Sequence, residues 1–336
     1  MNILFVSMVP FESNTSATIR NKGIIKGLTE LGHNVDILTL KLSNNAISYD
    51  ESMNDIRTIA GNCYYMALNP VYAKFMAKKP HKNLQRSSKL IPTRIKNTVR
   101  SIIKKIYDNI TIFDAQKSNA KQVSKLHINY DSYDILISAS DPKSSHLIVK
   151  EIFKHYPKTK AKWIQYWGDP MFNDITRKSD WRDVLVKYSE YKLISKANRI
   201  IYASPLTLKV QKETYPRYAY KMDYANQVCV NIDFKTTVKR EKNYISVGYF
   251  GEFILNICGS TDIFLESTDN ITIHGSVPYK KAIKMEQESD ILVCICNNRG
   301  TQIPGKIYYC TAYKKPVIII LDGEYKEELK VYFKSF

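Results

Sequence analysis

The chain contains no run of roughly 18 or more apolar residues, so its sequence predicts no helix that spans a bilayer. Its first residues, MNILFVSMVPF, hold an apolar stretch with no basic flank before it and no small-residue cleavage site, and they read as a first strand instead of a signal peptide. Six cysteines (Cys63, Cys229, Cys258, Cys294, Cys296, Cys310) include no C-x-x-C spacing, and most sit in or beside strand-like apolar runs. Buried, reduced thiols in a cytosolic protein are the expectation from that usage. Cys294 and Cys296 share one strand face, but no His or second Cys pair nearby completes a zinc site. Acidic residues are missing over one long stretch: from Lys74 to Lys105 there are eleven Lys or Arg and no Asp or Glu.

What is present is ample for globular cores. Of 336 residues, 44% are apolar, with three Trp, 24 Tyr and 12 Phe, a length suited to two domains. The formal charge of +18 and the basic block point to an anionic partner: nucleic acid, a membrane surface or a phosphorylated substrate. A merely solvated basic face is the plainer alternative. Within the block, Ile95, Val99, Ile102, Ile103, Ile106 and Ile110 form one helical stripe flanked by Arg94, Lys96, Arg100, Lys104 and Lys105. Such a helix either lies on anionic lipid or packs its stripe on the N-terminal core. Nucleic-acid binding lacks interleaved aromatic pairs and any known module.

The order of segments predicts an α/β fold. NILFV reads as a strand, Asn14, Thr15 and Ser16 as candidate helix caps, and Ile24, Ile25, Leu28 and Leu31 as a helical stripe ended by Gly32. VDILTL then closes a βαβ unit of two parallel strands. DILISAS, WIQYWGD and RIIYAS read as further strands, with helices in HLIVKEIFKHY and WRDVLVKYSEYKLISKA. The pattern restarts after YANQVCVNIDF with YISVGYFGEF, ITIHGSV, a helix from PYKKAIKMEQESD, the strand ILVCICN, a helix KIYYCTAYK and the strand KPVIIIL. Two doubly wound domains are therefore expected, residues 1–225 and 243–336 joined by a linker over 226–242, with ligands held at the carboxyl ends of strands in the cleft between them.

GTQIPGKI, Gly300 to Ile307, has the G-x-x-x-x-G-K spacing of a phosphate-binding P-loop. Ile307 stands where a Mg²⁺-holding hydroxyl is needed, and Pro304 lacks a backbone donor, and both argue against triphosphate hydrolysis. A Gly305-Lys306 pair opening a helix still offers N–H groups, a helix dipole and a cation, chemistry suited to gripping a diphosphate. The alternative is a glycine that only turns strand into helix beside a surface lysine.

The succession NILFVSMVPF, GHNVDILTL, SASDPKSSHLI, WIQYWGDP, ANRIIYAS, GYFGEF, NITIHGSVPYKKA, SDILVCI and IPGKIYYCTAYKKPVI resembles glycosyltransferases of the GT-B fold, and within them family 4, which builds bacterial capsule, exopolysaccharide and lipopolysaccharide. The resemblance runs over most of the chain; GHNVDILTL and the closing PGK pattern carry it most specifically. It implies two Rossmann-like doubly wound domains facing a cleft and retaining transfer of a sugar, without a metal or other cofactor, from a nucleotide-sugar to a glycan or polyprenyl-pyrophosphate-linked acceptor. The absence of a D-x-D motif fits this. It places the donor at Gly248, Gly251, Thr301, Gln302, Pro304, Gly305, Lys306 and Tyr309, with Lys306 and Arg20 stabilising the leaving group. Asn14, Ser16, His146 and Asp169 fall on the acceptor side, the alternative for His146 being a helix N-terminal residue with a structural hydrogen bond. The same resemblance implies a cytoplasmic protein, peripheral on the inner membrane face through Lys74–Lys105.

The chain departs from the family pattern in three places. Thr301 and Tyr309 stand where many members keep two glutamates eight positions apart. A helix and most of a strand are missing between Phe253 and Gly259, and the family's last helix has no room before Phe336, so the C-terminal domain is expected to be shortened. These departures support a second reading, a catalytically degenerate remnant that binds a membrane or a partner.

Overall fold

The apolar run after Asn2 forms an interior strand of the first sheet in the computed structural model, which describes residues 1–46, 48–53, 55–68, 73, 112–175, 177, 180–226, 254–259 and 265–334. The basic block with its isoleucine stripe, the strand expected in YISVGYFGEF, nearly all of the 226–242 linker and both Gly248 and Gly251 lie outside the described residues.

Seven strands form one sheet: β1 (Asn2–Val6), β2 (Asn34–Leu40), β3 (Cys63–Met66), β4 (Ile135–Ala139), β5 (Lys162–Trp167), β6 (Arg199–Tyr202) and β7 (Met222–Tyr224). Their order is β3-β2-β1-β4-β5-β6-β7, and every neighbouring pair is parallel. Parallel strands demand cover on both faces because each crossover lays a helix there. Alternation along β1 delivers it: Ile3 and Phe5 join Val35, Ile37 and Ile25 of α1 (Ser16–Glu30) on one side. Leu4 and Val6 join Ile148, Val149 and Ile152 of α2 (Ser144–His155) and Val186 and Leu193 of α3 (Asp183–Ile194) on the other. The fold is thus α/β with a parallel sheet flanked by helices, compatible with a Rossmann-like domain. Neither β3, which is short and half-buried, nor the 3₁₀ segment Ala115–Lys125 carries a legible pattern of its own.

Helix α1 follows its expected stripe except at its end, with Ile24 and Leu28 packing partly buried on the same core as Ile25. Ile25 is fully buried, but Leu31 is 74% exposed at the C-cap, where Gly32 (φ 80°) turns the chain away. Arg20, Asn21 and Lys22 are buried as well. Among the expected caps, Thr15 is the one used, its hydroxyl accepting from the Thr18 N–H at 3.2 Å.

After α4 (Pro205–Thr214) and β7, the described part of the second α/β region holds two separate parallel pairs, β8 (Leu255–Cys258) with β9 (Ile271–Gly275) and β10 (Leu292–Ile295) with β11 (Val317–Ile320). Three helices accompany them: α5 (Tyr279–Glu288), α6 (Lys306–Thr311) and α7 (Lys326–Phe333). Their core gathers Leu292, Cys294, Ile303, Ile307, Tyr308 and Leu329, and Leu206 of α4 packs on it. Lys315, in the expected closing pattern, caps α5 by donating to the carbonyls of Glu286 (3.1 Å) and Ser289 (2.7 Å). No helix among the described residues is long and apolar enough to cross a membrane.

Candidate functional site

The sheet order reverses between β1 and β4, and that switch point is where open α/β sheets hold ligands. A cleft of about 390 Å³ lies there, large enough for a small ligand or part of a larger one. One wall comes from carboxyl ends of the first sheet: Ser16 and Arg20 of α1, Asp141 after β4, Gly168 and Asp169 after β5, and Ala203 and Ser204 after β6. Facing them, the loop after β10 contributes Asn297, Gln302, Ile303, Pro304 and Gly305.

Arg20 is 6% exposed and anchored on three sides. One guanidinium nitrogen donates to the Ser140 carbonyl, the Tyr166 ring lies 5.3 Å from its carbon, and Gly168 has no side chain to push it back. Among the described residues its Nε has no hydrogen-bond partner, which leaves a buried donor unmet beside the cleft.

Next to it sits a charged cluster. Asp141, between two cis peptide bonds, takes the Lys143 ammonium, which also reaches Asp174 at 3.4 Å. Burial alone would raise the Asp141 pKa, but the Lys143 charge outweighs it and holds the carboxyl below its ordinary range. Burial likewise works against the Lys143 charge, and the Asp141, Asp174 and Asp169 carboxylates together hold its pKa above the usual lysine value. Asp169 receives too little of that compensation: burial, then the neighbouring Asp141 charge, push it up to about 7. The loop bearing Asp169 is fixed from beneath by Glu190 of α3, whose buried carboxylate accepts from the Met171 and Phe172 N–H groups at 3.0 Å each and from the Tyr215 hydroxyl at 2.8 Å.

The other expected residues fall in distinct places. His146 is fully buried, its ring tilted 31° to that of Trp167 with centroids 4.1 Å apart, and its Nδ1 lies 2.7 Å from the Ser138 hydroxyl, which also accepts from the Trp163 indole at 2.8 Å. Burial pushes its pKa down to about 3, so it stays neutral in the core and does not line the cleft. Thr301 joins the two regions: its carbonyl accepts from Ser204 (3.0 Å) and Thr207 (3.3 Å), and its hydroxyl lies 3.0 Å from that of Thr207. Asn14 makes a second junction, donating to the Val277 carbonyl at 3.2 Å, beside Asp50, whose carboxylate accepts from the Tyr279 N–H at 2.8 Å.

Gln302, Pro304 and Gly305 line the cleft, whereas Lys306 is exposed outside it and Tyr309 is half-buried away from it. The helix that follows has only six residues, and its Ile307 and Tyr308 N–H groups already donate to Pro304 (3.1 Å) and Gly305 (3.2 Å). The dipole and free donors expected from Gly305-Lys306 are correspondingly small.

Asp141, Lys143, Asp174 and Glu190 stand outside the residues expected from the sequence. The first of these was within reach, because a carboxylate directly after the strand DILISAS occupies the sheet edge where α/β proteins bind ligands. The fold and site define an α/β protein with a Rossmann-like parallel sheet and a polar cleft at its switch point. Compared with known proteins, the chain matches no family model and no curated sequence.

Proposed function

We propose that the chain is a glycosyltransferase of GT-B-like two-domain arrangement, moving a sugar from a nucleotide-sugar to a glycan or lipid-linked acceptor. The observation that carries this reading is the cleft itself. It joins a buried guanidinium, Arg20, to a carboxylate cluster at the switch point and is roofed by the Gln302–Gly305 loop of a second α/β region. A diphosphate leaving group needs a fixed cation in a low-dielectric setting, and Arg20 supplies one that hydrogen-bonds no carboxylate among the described residues. Within this reading the Lys74–Lys105 block brings the protein to an anionic inner membrane face, where lipid-linked acceptors reside.

The test is transfer of radiolabelled sugar from UDP- and GDP-sugars to a membrane lipid extract. Transfer that is lost in Arg20→Ala supports the proposal; no transfer from any donor overturns it. The exposed position of Lys306 and the six-residue helix behind it favour a second reading, a remnant that has lost donor binding. Such a remnant would show no stabilisation by UDP or GDP.

A further inference from the structure

We propose that Cys294 and Cys310 form an oxidation site, which a small peroxide converts into an internal disulfide that clamps the roof of the cleft. The site stands apart from sugar transfer, because no donor or acceptor takes part in it.

The two thiols come from different elements, Cys294 from β10 and Cys310 from near the end of α6, and their Sγ atoms lie 3.4 Å apart. They need to draw together by only about 1.4 Å to reach bonding distance. Both are 6% exposed and belong to the apolar core of the second region, beside Cys296, Ile307 and Leu329. The remaining described cysteines are placed otherwise: Cys258 faces the Met285 thioether at 3.6 Å, which cannot form a disulfide, and Cys63 lies in the first sheet. Hydrogen bonding within the pair lowers the Cys294 pKa and raises that of Cys310; burial opposes the first shift and the Lys306 charge adds to it. Cys294 is thus the attacking thiol and Cys310 the resolving one.

The chain between the two sulfurs includes the loop that faces the first region. Gln302, Pro304 and Gly305 line the cleft there, and Thr301 bonds Ser204 and Thr207. A covalent link from Cys294 to Cys310 closes that segment into a loop and removes conformations in which it peels away.

The oxidant is a hydroperoxide, and hydrogen peroxide, little larger than water, suits thiols that are nearly covered. The Cys294 thiolate attacks one peroxide oxygen; the O–O bond breaks, and the other oxygen leaves with its electron pair and a proton as water. Cys294 is then a sulfenic acid. The Cys310 sulfur bonds to the Cys294 sulfur, the S–O bond breaks, and the hydroxyl departs with the Cys310 proton as a second water. Two thiols lose two electrons in all, and one peroxide becomes two waters. A dithiol reductant reverses the change by thiol–disulfide exchange.

The experiment treats the reduced full chain with stepwise hydrogen peroxide and follows intact mass, non-reducing peptide maps and limited proteolysis. The expected result is loss of two hydrogens, a Cys294–Cys310 peptide link that dithiothreitol reverses, and slower cleavage within Asn297–Gly305. The melting temperature should rise on the order of 5 °C with the link. Cys310→Ser should trap the sulfenic acid on Cys294, where dimedone labels it, and Cys296→Ser should form the link as the native chain does. The native peptide map carries the test even where a serine variant does not fold. No link at peroxide levels that already oxidise methionine, or a link to Cys296 in place of Cys310, overturns the site. Equal cleavage of the loop in the reduced and linked forms overturns the clamp.

Discussion

Ile3, Leu4, Phe5 and Val6 of β1 are all completely buried, whereas β10 alternates buried Leu292 and Cys294 with Val293 and Ile295 open to solvent. The partner strand β11 repeats the pattern, and the register sets Val293 beside Ile318 and Ile295 beside Ile320. Four β-branched side chains thus share one open face, Ile295 being 68% exposed. A parallel pair normally hides both faces, and each such side chain left in water forgoes about 1.5–3 kcal/mol. The first region is a closed scaffold with fixed site residues; the second is a thinner cover, held to it through Thr301, Asn14 and Asp50. Rigidity therefore resides on the side that carries Arg20, Asp141 and Asp169.

Substitutions in the two regions should differ accordingly. Trp163→Ala, in the first core and bonded to Ser138, should cost about 3–5 kcal/mol in chemical denaturation. An effect below about 1 kcal/mol would break the contrast. Glu190→Ala should cost about 3 kcal/mol, since it leaves the Met171 and Phe172 N–H groups without their acceptor under the Asp169 loop. Proteolysis of that loop should quicken in the same variant.

Asp169→Asn should act in the opposite direction and with a definite pH dependence. The carboxyl titrates at about 7 in the fold, against an ordinary value of 3.8. Because the folded value is the higher one, its contribution to stability is fully present below the unfolded pKa and is lost as pH rises through the folded one. An asparagine cannot ionise, so the variant should gain on the native protein as pH rises from about 4 to about 8, by on the order of 2 kcal/mol. Melting temperatures at the two ends of that range check it, and a constant difference would contradict it. The smallest effect belongs to the open face: Ile295→Thr should change stability by no more than about 0.5 kcal/mol while reducing self-association in sedimentation.

The legible part of the molecule follows from the same contrast. β1, β2, β4, β5 and β6 announce themselves as apolar runs because strands covered on both faces need no polar residue. β3 and the Ala115–Lys125 segment have neither run nor period, so only tertiary context defines them. Arg20 was expected in the cleft through the resemblance, but its burial with Asn21 and Lys22 is not legible in the apolar stripe of α1, which packs on the core through Ile24, Ile25 and Leu28. The Asp141–Asp169 pair forms only when β4 and β5 lie side by side, which no local pattern encodes. Lys306 shows the reverse: its motif spacing was plain, yet the short helix behind it sets the lysine outside the cleft.

Titration of the native protein and of Arg20→Ala with UDP and GDP, followed by thermal unfolding, tests the central claim most directly. A donor-binding cleft predicts that one nucleotide stabilises the native protein, by about 2.7 kcal/mol at a hundredfold excess over its Kd, and that Arg20→Ala loses most of that gain. No shift with either nucleotide, or an equal shift in the variant, would contradict it.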